Sequence, residues 1–159
     1  MLPQPASGSC ADHLGRSEIV AKTVRVKWIE KKQFIGTDET KHSIVMSGSG
    51  PEDGVGMNPS QLLLISLGGC TSYDVVDILQ KKRQKLTGLE VFVTGDQEAD
   101  PPWPYRNIHV HYVVRGKGLR EKAVKDAIEL SEGKYCSVAA TVCTTADVTY
   151  DYEIVEDEV

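Results

Sequence analysis

Apolar and polar positions alternate, or recur at helical spacing, in distinct stretches of the chain. Over residues 19–29, Val20, Val24, Val26 and Trp28 predict a strand, with clean alternation from Val24 onward. The polar run Glu30-Lys31-Lys32-Gln33 should turn the chain into Phe34-Ile35, and a further strand is expected near residues 42–46. Residues 47–57 hold Gly48, Gly50, Pro51, Asp53, Gly54 and Gly56, a composition that favours turns. Asn58 is then a good N-cap, and Pro59 suits the first helical position, where a missing N–H costs nothing. The predicted helix runs from there to about residue 85 and is closed by Thr87-Gly88. Leu62, Leu63, Leu64, Ile65 and Leu67 make its first half apolar on every side, so it should be buried all round. In a small chain, a sheet on one side and a partner subunit on the other would achieve that. Lys81, Lys82, Arg83 and Lys85 place cations at the helix C-terminus, where the macrodipole favours them.

Beyond the helix, Leu89, Val91 and Val93 alternate, as do Ile108, Val110, Tyr112 and Val114. Residues 99–104 must form a loop between these strands, because adjacent prolines cannot sit in a ladder. A second helix is expected over residues 119–131, with Ala123, Val124, Ala127, Ile128 and Leu130 as its apolar stripe and Gly133 as its stop. A short small-residue segment opens at Cys136. A last strand follows on Val148, Tyr150, Tyr152 and Ile154. Strands before, between and after two helices indicate an α+β fold without the regular βαβ alternation of a parallel sheet.

Composition narrows the function classes. The 159 residues are 40% hydrophobic and 26% charged, near globular averages, which excludes collagen-like and low-complexity classes. A net charge of -5 with no basic tract argues against nucleic acid as a partner. The longest apolar stretch, residues 62–67, is short of the ~20 residues a bilayer helix needs, so no membrane association is expected. Residues 1–15 lack a basic start and an apolar core, so no secretory signal is read there and a cytoplasmic location is expected. Residues 1–18 should be a disordered arm, and residues 19–159 one domain.

The chemistry most open to this chain is that of sulfur. In a reducing compartment Cys10, Cys70, Cys136 and Cys143 should be thiols, and none forms a C-x-x-C pair. Cys70 follows Gly68-Gly69 inside the apolar helix. Two glycines cost ~2 kcal/mol of helix propensity against alanine, so they need a reason. Either another backbone packs closely there, or the missing side chains leave room for something to reach the sulfur. Cys136 lies 66 residues further on, on another element, and two such cysteines can serve as attacking and resolving thiols. His109 and His111 share one face of a strand, a spacing a metal could use, although the solvent side is their ordinary place. Cys143 reads as core filler, and Cys10 as a thiol on the arm.

Two stretches carry a family resemblance. Residues 58–71 (Asn-Pro-Ser-Gln-Leu-Leu-Leu-Ile-Ser-Leu-Gly-Gly-Cys-Thr) resemble the central helix motif of the OsmC/Ohr family of thiol-dependent peroxidases, and residues 131–138 (Ser-Glu-Gly-Lys-Tyr-Cys-Ser-Val) its second cysteine motif. The resemblance implies an intertwined homodimer with small antiparallel sheets around a long central helix. It also implies a reaction in which Cys70, the peroxidatic thiol, reduces an organic hydroperoxide and becomes a sulfenic acid. Cys136 resolves that acid to a disulfide, and an external dithiol such as lipoamide restores both; no cofactor or metal is implied. The well-studied branches supply an arginine from the first sheet and a glutamate after the Asn-Pro pair. Here Ser60 and Gln61 follow the pair, and the first hairpin offers Lys31 and Lys32, so these four are the candidates for activating or polar support. That pattern is closer to the less characterised OsmC-like branch. The alternative reading is a catalytically weak or inactive dimer that binds a small apolar or thiol ligand; a metal-binding module is a third.

Overall fold

The computed structural model describes residues 20–157, so the expected arm at residues 1–18 lies outside the described residues. The described chain divides into two compact units, residues 20–63 and 64–157.

The first unit is an antiparallel meander of β1 (Arg25–Glu30), β2 (Gln33–Thr37) and β3 (Ser43–Ser47), paired in that order. Lys31 turns the first hairpin with a left-handed φ of 44°, and the Trp28 indole donates to its carbonyl at 2.7 Å. Asp38 closes the second hairpin by accepting from the Thr40 hydroxyl and the His42 N–H. The Gly-rich loop folds back on β3: the Ser47 side chain donates to the Gly56 carbonyl and accepts from its N–H. A Cβ on Gly56 would lie 2.6 Å from the Val45 carbonyl oxygen, so only glycine fits this close approach. Asn58 then caps the long helix α1 (Pro59–Lys81), its Oδ1 accepting from the Ser60 N–H at 2.9 Å.

The second unit holds β4 (Lys85–Gln97), β5 (Tyr105–Lys117) and β6 (Asp147–Glu156) in one sheet of that order. Between β5 and β6 come α2 (Glu121–Leu130), a π-turn over Ser131–Tyr135, and the short helix α3 (Ser137–Val142). Core-facing residues of β5 (Ile108, Val110, Tyr112, Val114) join Leu67, Val75 and Leu79 of α1 and Val124, Ala127 and Ile128 of α2 in one buried cluster. At about 1.5–3 kcal/mol for each fully buried large apolar side chain, this cluster is the main source of cohesion in the unit.

Four expectations need correction. The sheets are not wholly antiparallel, because β5 and β6 pair in parallel; the helical crossover carries the chain back to the end where β5 began. α1 stops at Lys81 rather than near residue 85, and Thr87-Gly88 belong to β4. Arg83 takes the left-handed C-terminal position (φ 54°), and the N–H groups of Arg83 and Gln84 close on the carbonyls of Gln80 and Leu79. Gly133 does not stop α2 but sits in the π-turn. Finally, α1 is not buried all round within one chain: Ile65 is 50% and Tyr73 77% exposed, with exposed Gly69 between them. By length and apolar content alone α1 could also cross a bilayer, which counting uninterrupted apolar runs had missed.

Candidate active site

Gly68 and Gly69 serve different purposes. A Cβ on Gly68 would meet a Val93 methyl at 3.0 Å, so that glycine lets β4 lie close against the helix, whereas one on Gly69 would meet nothing within 4 Å. Side chains of a strand, rather than another backbone, occupy the space at Gly68. Cys70, the next residue, is a half-buried free thiol packed against the core.

The π-turn brings Cys136 to it. The Cys136 N–H closes the turn on the Ser131 carbonyl at 2.9 Å, and its side chain caps α3, accepting from the Ala139 N–H at 3.3 Å. The residue is 2% exposed, and Cys70 is the neighbouring thiol that acts on it. Burial first, then the neighbouring Cys70 thiol, push the Cys136 thiol up to about 12; the Ala139 N–H opposes the rise without cancelling it. Thus two thiols 66 residues apart in sequence act on one another.

Behind them lies a set of polar side chains that the sequence reading did not single out. Thr71 and Tyr112 share a hydroxyl–hydroxyl bond of 2.5 Å. Tyr112 donates to Glu132 Oε1 through a very short bond, and Thr71 Oγ1, with one proton to share between Tyr112 and Glu132, lies 3.2 Å from the same oxygen. Ser131 bridges Thr71 Oγ1 and Asp74 Oδ2, each at 3.0 Å. Burial raises the Glu132 carboxyl above its ordinary range, the nearby Asp74 charge adds to this, and the two hydroxyl donors hold it back. Burial and Glu132 likewise raise the Tyr112 phenol. Thr71 adjoins Cys70, and Ser131 and Glu132 open the second motif, so proximity in sequence was one signal. Tyr112 and Asp74, polar groups at core-facing or otherwise apolar positions, were the other.

The supporting candidates belong to the first unit. Lys31 and Lys32 are exposed in the first hairpin, where the Lys32 carbonyl accepts from Gly48; Ser60 bonds Asn58 through N–H and hydroxyl, and Gln61 is exposed. Cys143 ends α3 half-buried, its N–H donating to the Ala139 carbonyl, and Cys10 lies outside the described residues. His109 and His111 stand on the outer face of β5, where Asp151 Oδ1 lies 3.3 Å and 2.5 Å from their rings. Among the described residues no group of three His, Cys, Asp or Glu side chains is arranged to hold a metal ion.

Comparison with known proteins fits this architecture. Residues 50–151 match the family model described as OsmC-like protein. Protein YhfA of Escherichia coli is 37% identical over 131 residues, covering 82% of this chain and 96% of YhfA. The crystal structure of a hypothetical protein from Aquifex aeolicus superposes with a TM-score of 0.79 at 31% identity, covering 88% of this chain and all of that one. An organic hydroperoxide resistance protein, OsmC, from Legionella pneumophila shares the fold at TM-score 0.61 and 11% identity, over 86% of this chain and 99% of its own. By the extent of the family match and the identity to YhfA, the chain belongs to the OsmC-like family.

Proposed function

We propose that this protein is a thiol-dependent peroxidase for organic hydroperoxides, acting as a homodimer in the reducing cytoplasm. The observation that carries the reading is that the buried Cys136 thiol has Cys70 as a neighbouring thiol acting on it. A fold neighbour named as an organic hydroperoxide resistance protein supports the substrate class.

The Cys70 thiolate attacks the terminal oxygen of the hydroperoxide. An S–O bond forms, the O–O bond breaks, and the alkoxide leaves as alcohol after taking up a proton. Cys136 then attacks the sulfenic sulfur, the S–S bond replaces S–O, and the departing hydroxide leaves as water with the Cys136 proton. An external dithiol reduces the disulfide by exchange. Lys31, Lys32, Ser60 and Gln61 are the candidate support for the charge on Cys70. The homodimer reading rests on the uncovered stripe Ile65, Gly69 and Tyr73 along α1.

The test is consumption of cumene hydroperoxide with dihydrolipoamide as reductant. Cys70→Ser should abolish turnover, and Cys136→Ser should leave a sulfenic acid that dimedone traps; turnover that survives Cys70→Ser would contradict the reading. A second reading, a catalytically inactive dimer that binds a small apolar or thiol ligand, draws on a groove of about 290 Å³. It lies between Leu64, Ile65 and Gly69 of α1 and Val91 and Val93 of β4, and Cys70 is not part of its lining. Ligand binding by protein that does not react with hydroperoxide would favour that reading.

A further inference from the structure

Every polar group of Ser131 is engaged, and each reaches a different element. Its N–H closes on the Ala127 and Ile128 carbonyls at the end of α2. Its hydroxyl has one proton to share between Thr71 Oγ1 and Asp74 Oδ2 on α1, each at 3.0 Å. Its carbonyl accepts from the N–H of Cys136, the residue that caps α3, at 2.9 Å. Thr71 directly follows Cys70, so two hydrogen bonds through one serine link the residue after one thiol to the backbone of the other. Ser131 and Thr71 have no solvent exposure, and a hydroxyl buried that deeply costs free energy unless it is paired.

The π-turn is hooked a second time at the next residue. Glu132 Oε1 accepts from Tyr112 of β5 and lies 3.2 Å from Thr71 Oγ1. Gly133, Lys134 and Tyr135 then run exposed before Cys136 returns to the core. A Cβ on Gly133 would meet nothing within 4 Å, so packing does not hold the middle of the turn there. The turn is fixed at its ends, by Cys136 at one and by Ser131 and Glu132 at the other. For cohesion alone, a matched apolar pair in place of Ser131 and Thr71 would serve nearly as well, because removing both partners of a buried hydrogen bond costs little. What the hydroxyls add is direction, and π-turns recur where a side chain has work to do.

We propose that Ser131 is a positioning residue for Cys136: clasped to Thr71, it fixes where the π-turn delivers that thiol relative to Cys70, and so sets how readily the two join. The proposal rests on the peroxidase reading for the pairing of Cys70 with Cys136, and it names what orients the resolving thiol. Without the clasp the reduced turn is free to take up other positions, and closing the disulfide must then remove that freedom. The oxidised turn is tied by its S–S bond in either case. Loss of the clasp therefore weakens the disulfide relative to the two thiols.

The experiment equilibrates the full-length protein in glutathione buffers of graded ratio and quantifies the Cys70–Cys136 disulfide by peptide mass spectrometry. In this exchange the two protein thiols give up their protons and an electron pair, which reduce one glutathione disulfide to two glutathione thiols. Ser131→Ala should lower the equilibrium constant about tenfold, the return of one well-placed hydrogen bond. Thr71→Val, which removes the other hydroxyl at constant shape, should lower it at least as far and carries the test if Ser131→Ala does not fold. Thr71→Ser keeps the hydroxyl and should stay close to the parent. Urea denaturation of each variant runs alongside: a merely structural clasp would lower the urea midpoint and leave the glutathione equilibrium of the folded protein unchanged. That unchanged equilibrium, in either folded variant without its hydroxyl, overturns the proposal. A parent that forms no such disulfide overturns it together with the thiol pairing. A parent that forms the disulfide with glutathione and loses it in the variants, yet never consumes cumene hydroperoxide, keeps the clasp and removes the peroxidase reading.

Discussion

The two three-stranded sheets have similar strand content and opposite fates. In the second, one face of β5 is sealed: Ile108, Val110, Tyr112 and Val114 have essentially no exposure. In the first, register puts Val26, Trp28, Phe34, Ile44 and Met46 on one face, yet Val26 remains 59% and Trp28 61% exposed. Apolar alternation marks a face that wants covering, and it does not say whether the same chain supplies the cover. The second sheet is covered by helices of its own unit. The first shows an apolar face with the same unmet need as the α1 stripe of Ile65, Gly69 and Tyr73.

The largest expected effect separates these two cases. Leu79→Ala, in the sealed core, should cost about 2–5 kcal/mol in urea denaturation, the range for emptying a buried leucine site. Trp28→Ala should cost under about 1 kcal/mol in a monomeric chain, since most of its surface is already wet; a loss as large as that of Leu79→Ala would mean a partner covers it. Next in size is Ile65→Asp. If a second copy covers α1, the charge should weaken dimerisation about 100-fold, roughly 3 kcal/mol, by sedimentation velocity, and leave the monomer's helical signal intact. An unchanged sedimentation profile would argue that the stripe faces solvent.

These contrasts explain how far the sequence could be read. Strand alternation, the Asn58-Pro59 helix start and the two cysteine motifs were legible because each is a local signal. The end of α1 was not, because Arg83 takes a left-handed position that composition assigns to glycine. The parallel β5–β6 pairing was missed because strand alternation says which face is buried and not which strands pair or in which direction. The residues between form α2, the π-turn and α3, and so return the chain to the end where β5 begins. Cys70 and Cys136 could be named from motifs, while Thr71, Tyr112, Ser131 and Glu132 act only as a set assembled from distant segments.

Two smaller effects concern pH. Because the folded-state pKa of Glu132 is raised, the folded chain holds that proton to higher pH than the unfolded chain. Its contribution is present below the ordinary carboxyl value and is lost as pH rises through the raised one. Glu132→Gln should therefore flatten the fall in stability above about pH 4.5, and be more stable than the parent at neutral pH. Asp151 has the opposite sign. Although burial opposes it, hydrogen bonding and the charges of His111 and His109 lower its pKa, so its small contribution is lost as pH falls through the folded value. Asp151 is 61% exposed in its side chain, so Asp151→Asn should cost no more than about 0.5 kcal/mol at pH 7, measured by thermal melts.

The most direct test of the thiol pair is peptide mapping of the reduced protein after one equivalent of cumene hydroperoxide. The account predicts one intramolecular disulfide joining the peptide that bears Cys70 to the peptide that bears Cys136, formed with loss of both thiols. Oxidation that leaves Cys136 alkylatable, or that links Cys70 to Cys143 or to a second chain, would contradict it.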